Sequence, residues 1–210
     1  MANVEFVVTF LLFIQRILAA EWSYSGSHGP QTWQNTSPAC ALNRQSPVDI
    51  HEGDVKPYTV TDPFVFTNYD AVLGVTMTLE NNGHSAAVLL RGDTAVTVIG
   101  GGLPPGVYRA LQFHFHWGAN SNTGSEHLIN SESYPMELHI VHMNTLYANI
   151  SVAMSHADGL AVLGFMFQES PNVNNNNYAS IVNGLSQIRA SGTETTIPTT
   201  SLDSLLPTHF

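Results

Sequence analysis

Two short stretches carry the densest chemistry of the chain: Gln112-Phe113-His114-Phe115-His116-Trp117 and Glu137-Leu138-His139-Ile140-Val141-His142. An extended strand alternates its side chains, so His114 and His116 share one face while Phe113, Phe115 and Trp117 take the other. The 22 residues between His116 and His139 include Gly118-Ala-Asn-Ser-Asn-Thr-Gly124, turn chemistry that suffices for a loop and a return. His139 can therefore join the pair from a second strand. Three neutral imidazoles leave a tetrahedral zinc ion one open position, which is the arrangement of a catalytic rather than a structural site. A His-x-His pair by itself is more often the polar face of an amphipathic strand. Here Gln112 and Glu137 each precede a candidate ligand by two residues on the same face, where an amide oxygen or a carboxylate accepts the spare imidazole N–H and fixes its tautomer.

Outward from these strands, 210 residues with 43% hydrophobic content and no linker-like break suit one domain. A formal charge of −10 with only six Lys and Arg offers no basic patch, which argues against nucleic acid or an anionic membrane surface as partner and favours a small or neutral one. Residues 1–20 hold an apolar run, Val4 to Ile14, broken at Gln15 and Arg16. That run is too short to span a bilayer and reads as a secretory signal cut after Ala20, leaving 21–210 as the domain and giving no transmembrane segment. Secretion makes the sequons Asn35-Thr-Ser37 and Asn149-Ile-Ser151 candidate glycosylation sites. It also makes the single cysteine, Cys40, either a free thiol or half of a pair.

Strands are expected over Thr59–Thr61, Val65–Thr67, Val75–Leu79 and Ser85–Leu90, separated by Pro, Asn, Asp and Gly turns. Asn82-Gly83 is a hairpin signal that puts His84 at the mouth of the following strand, where it reaches solvent. Tyr178, Ile181, Val182, Leu185 and Ile188 recur at helical spacing, with Asn177 as N-cap and Gly192 as stop, so a surface helix packed on the sheet is expected.

Gln112-Phe-His-Phe-His-Trp-Gly118, Gly124-Ser-Glu-His127 and Glu137-Leu-His-x-Val-His-x-Asn144 together resemble the alpha-type carbonic anhydrases. So do Trp22-Ser-Tyr24, His28-Gly-Pro-x-x-Trp33, Arg44-Gln-Ser-Pro-Val-Asp-Ile50, Asn81-Asn-Gly-His84 and Gly159-Leu-Ala-Val-Leu-Gly164, so that nearly all of the chain after residue 20 is covered. The resemblance implies a mainly β fold with a few short helices around a twisted, mostly antiparallel central sheet. It implies Zn²⁺ on His114, His116 and His139, and reversible hydration of carbon dioxide to bicarbonate and a proton. In that reading His84 shuttles protons, Tyr24 and Asn82 order the solvent path, and Val141 and Val162 wall the substrate pocket. Glu126 partners a threonine in the family.

Two departures qualify the resemblance. The family continues past Leu-Leu-Pro207 into Ser-Leu-Thr-Thr-Pro-Pro, which holds that threonine, and its extracellular members pair a cysteine matching Cys40 with one late in the chain. Neither feature is in this sequence. The expectation is a domain incomplete at its C-terminus, with slower turnover and lower stability; the alternative is a weakly active or inactive zinc-binding protein that acts as a binding module. A cupin-like barrel also uses His-x-His, but with an acidic ligand a few residues on, whereas Glu126 lies ten residues beyond His116.

Overall fold

The computed structural model describes residues 22–57, 59 and 61–207. The expected leader over 1–20 lies outside the described residues. Two compact units divide at Gln45 and Ser46.

In the first unit Trp22, Tyr24 and Trp33 pack edge to face, with ring centroids 5.4 to 5.9 Å apart. Such T-shaped contacts match the positive edge of one ring to the negative face of the next. The Trp33 indole N–H donates to the carbonyls of Ser23 and His28, pinning the start of a one-turn helix, α1 (Trp33–Thr36).

The second unit is built from ten strands: β1 (Asp49–Ile50), β2 (Val65–Thr67), β3 (Thr76–Asn81), β4 (Ala86–Arg91), β5 (Thr97–Ile99), β6 (Tyr108–Trp117), β7 (Leu128–Ile129), β8 (Met136–Asn144), β9 (Leu160–Phe167) and β10 (Glu194–Ile197). Two short helices, α2 (Ile150–Ala153) and α3 (Ala179–Gly184), complete it. Eight strands form one antiparallel sheet, and β1 and β7 form a small parallel pair. The ten-residue β6 is the centre: β4 and β5 share one of its edges, and β8 runs along the other with β9 beyond it. The mainly β, mostly antiparallel architecture expected from sequence is what the chain adopts.

A register shift between Ala110 and Gln112 decides which side chains meet. Ala110 pairs with His142, whereas past the shift Gln112 pairs with Val141 and His114 with His139. Continued without the shift, with Leu111 paired to Val141, the first register would set His114 opposite Leu138. Because the side-chain period of a strand is two, that slip would turn His139 to the other face of the sheet.

On the face away from the histidines, Met77, Leu79, Val88, Phe113, Leu138 and Ile140 are at most 1% exposed and form the core with Ile181, Ile188, Ile197 and Leu205. Phe115 joins this core as expected, but Trp117 is 56% exposed. It ends β6 and opens onto an apolar groove of about 690 Å³ that Met136, Phe167, Ile181 and Val182 also line.

The structure corrects three sequence expectations. Thr59 lies in an irregular segment, not a strand, and its neighbours Tyr58 and Val60 are outside the described residues. Pro57 and Pro63 bracket the segment, and proline cannot donate to a ladder. The helix at 178–188 is a short α3 between two 3-10 turns, starting from Asn175, whose side chain accepts from the Asn177 N–H, and ending before Ile188. Only part of its apolar stripe is buried: Ile181 and Ile188 are 3% exposed, Val182 59% and Leu185 42%. Gly192 sits beyond the helix in a turn at φ +80°. The β3–β4 hairpin exists, but its loop spans four residues, Asn82 to Ser85, closed by the Asn82 side chain accepting from the His84 and Ser85 N–H groups.

Candidate metal centre

β6 and β8 bring His114, His116 and His139 to one face, with ring centroids 4.9 Å (114 to 116), 5.3 Å (114 to 139) and 4.6 Å (116 to 139) apart. One ring nitrogen from each lies within 4.8 Å of the others. Nothing but strand alternation and the register past Leu111 is needed to collect them.

The outer nitrogens are held where the sequence placed acceptors. Gln112 Oε1 lies 3.0 Å from His114 Nδ1, and Glu137 Oε1 lies 2.6 Å from His139 Nε2. Each acceptor takes the N–H of its imidazole's outer nitrogen and turns the other ring nitrogen toward the centre. Burial, reinforced by the neighbouring histidines, lowers the pKa of both His114 and His116 to about 4. Both are therefore neutral near pH 7, the state a metal requires of an imidazole.

Glu137 is 1% exposed, and burial alone would raise its pKa. The hydrogen bonds from the His139 ring and from the backbone and ring of His127 overcome that and lower it to about 2. Its Oε2 accepts from the backbone N–H groups of Glu126 and His127 at 2.8 and 2.9 Å, and its Oε1 accepts from His127 Nδ1 at 2.7 Å besides His139. Gly164, opposite His139 on β9, leaves room for this carboxylate: a Cβ there would stand 3.0 Å from Glu137 Oε1 and 3.6 Å from the His139 ring.

Glu126 Oε2 lies 3.3 Å from His116 Nε2 and 3.7 Å from His139 Nδ1, so this carboxylate faces two of the three imidazoles. Val141 and Val162 are direct cross-strand partners on the same face as His139, the first 9% and the second 51% exposed. They give the centre an apolar flank. His84 is exposed on the β3–β4 loop, lining a hollow of about 320 Å³ with Ser85, Trp117 and Leu185. Asn82 uses its side-chain oxygen to close that loop. Tyr24 belongs to the first unit, packed against Trp22 and Trp33. Asn35 and Asn149 are both exposed, and Asn149 caps α2 by accepting from the Val152 N–H through Oδ1.

Sequence reasoning passed over His127. It sits in the quoted Gly-Ser-Glu-His run, but its contact with Glu137 spans β7 and the turns that follow it, where no single periodicity operates. His142 points to the opposite face, fully buried, with Tyr69 Oη 2.5 Å from its Nε2.

A donor set of three imidazoles, those of His114 and His116 neutral and those of His114 and His139 held by acceptors on their outer nitrogens, fits a zinc ion with an open position. Comparison with known proteins gives the same direction. The family model for eukaryotic-type carbonic anhydrase matches residues 28–210. Mouse carbonic anhydrase 15 is 36% identical over 214 aligned positions, which cover 97% of this chain and 65% of the mouse protein. The chain thus spans about two thirds of the length of that curated relative.

Proposed function

Given that the chain belongs to the eukaryotic-type carbonic anhydrase family, we propose that it catalyses the zinc-dependent, reversible hydration of carbon dioxide to bicarbonate and a proton. The observation that carries the proposal is the convergence of His114, His116 and His139 within 4.8 Å. Zinc held by these three would supply the Lewis acid that makes water nucleophilic near neutral pH.

In this reading the other residues take the following roles. Gln112 and Glu137 orient the ligands. Val141 and Val162 offer an apolar wall against which a nonpolar molecule rests, so that carbon dioxide is held without competing for hydrogen bonds. Glu126 presents an acceptor to the group bound between the histidines. His84, exposed on the β3–β4 loop beside Asn82, takes the proton out to solvent. The reading extends to a secreted glycoprotein, with residues 1–20 as leader, 21–210 as the domain, and sugars on Asn35 and Asn149. No described helix is long and apolar enough to cross a membrane.

Stopped-flow hydration of carbon dioxide by the zinc-loaded chain tests the proposal. The expected result is a zinc-dependent rate above the buffer background that His114→Ala and His139→Ala abolish. A rate unchanged by either substitution would overturn it.

A further inference from the structure

Glu137 is surrounded by more donors than the orientation of one histidine requires. Its two oxygens accept four N–H groups at 2.6 to 2.9 Å: the His139 ring, the His127 ring, and the backbones of Glu126 and His127. An ionised carboxylate has about four lone-pair sites, so its accepting capacity is filled. We propose that His127 is a positioning residue for the metal centre, acting through Glu137 on His139. This rests on the zinc reading above.

The geometry sets the direction of every hydrogen bond in the chain of groups. Glu137, with four donors around it, is acceptor only, so His127 must donate from Nδ1 and carry its lone pair on Nε2. Ser46 Oγ stands 3.3 Å from that Nε2, placed to donate to it. At the other end His139 donates from Nε2 and presents Nδ1 toward the open centre. One proton arrangement thus runs from Ser46 through His127 and Glu137 to the ligand.

The arrangement does not suit a second metal. His127, Glu137 and His139 also form a group of potential ligands, but Glu137 Oε1 lies only 2.7 and 2.6 Å from the two ring nitrogens. Ligands at about 2.0–2.1 Å around a tetrahedral zinc stand about 3.3 Å apart, so these are hydrogen-bond distances.

Without His127 the carboxylate keeps the two backbone N–H groups but loses its second donor on Oε1. Oε1 then holds the His139 ring alone, the terminal torsion, which is broad and soft, is less fixed, and His139 is oriented less firmly. The test is zinc affinity by competition with a chelator, together with the visible spectrum of the cobalt-substituted protein, for the parent, His127→Ala, His127→Asn and His127→Gln. Asparagine can place its amide N–H where His127 Nδ1 stands; glutamine places it one carbon further out. Loss of an outer partner of this kind costs about 10- to 100-fold in metal affinity. The expected outcome is a loss of that size, with an altered cobalt spectrum, in the alanine and glutamine variants, and parent-like behaviour in the asparagine variant. If alanine does not fold, the asparagine and glutamine pair decides. Equal affinities and spectra for the folded variants and the parent would overturn the inference and leave the zinc reading standing, whereas a parent that binds no metal would overturn the zinc reading itself.

Discussion

Replacing Glu137 by glutamine removes one charge and no volume, and the structure gives the cost. The carboxyl sits at about 2 instead of the ordinary 4.5, and the difference corresponds to about 3 kcal/mol in favour of the folded, ionised form. Because the folded value is depressed, this stabilisation is complete above about pH 4.5 and is lost as the pH falls toward 2. Glutamine keeps one oxygen and turns the other into an N–H donor that must face either the His139 and His127 rings or the two backbone N–H groups. Facing the backbone sets donor against donor, and facing the rings does so unless both imidazoles move their proton to the other nitrogen, in a site that is 1% exposed. Glu137→Gln is therefore expected to lose about 3 kcal/mol in metal-free protein at pH 7, a fall in Tm of about 6–12 °C for a domain of this size. Denaturant unfolding of the metal-free parent and variant, at equal slope, is the assay. A loss below about 1 kcal/mol would show that the four donors are not holding a charge, and would refute the reasoning about this network.

Three more outcomes follow from neighbouring features. Gly164→Ala puts a Cβ 3.0 Å from Glu137 Oε1, so it is expected to weaken zinc binding by about tenfold without changing the ligands, as measured by chelator competition. Deleting Leu111 removes the extra residue of β6 and joins the pairs Ala110–His142 and Gln112–Val141 in one unbroken register, so His114 stays opposite His139 and a folded deletion variant is expected to keep zinc binding within about tenfold of the parent by chelator competition; a folded variant that binds no zinc would contradict strand pairing as the origin of the site. Burial lowers His142 to about 4 from 6.5, so the unfolded chain binds more protons between these values and stability is lost as pH falls through that window. His142→Gln is expected to lose about 2 kcal/mol less stability than the parent between pH 7 and pH 5 in metal-free denaturation.

The grouping of the histidines was legible because alternation is a local rule: once 112–117 is a strand, His114 and His116 share a face whatever surrounds them. Gln112 and Glu137 were legible for the same reason, each two residues from its imidazole. The bulge at Leu111 was not, since no glycine or proline marks it and only the pairing of β6 with β8 exposes it. His127 escaped because its partner is reached across a loop, by tertiary contact alone. The apolar period of 3.6 over 178–188 reads Val182 and Leu185 as buried, but their side of the helix meets an open groove. Thr59 to Thr61 was overcalled because β-branched residues outweighed the prolines on either side.

The central claim is that three histidines on β6 and β8 hold one zinc ion, and metal content tests it most directly. Protein refolded with zinc, dialysed against metal-free buffer and measured by elemental analysis is expected to retain about one zinc per chain, and the His139→Ala variant to retain almost none. A folded parent that emerges without zinc, or a His139→Ala variant that keeps as much as the parent, would contradict the account.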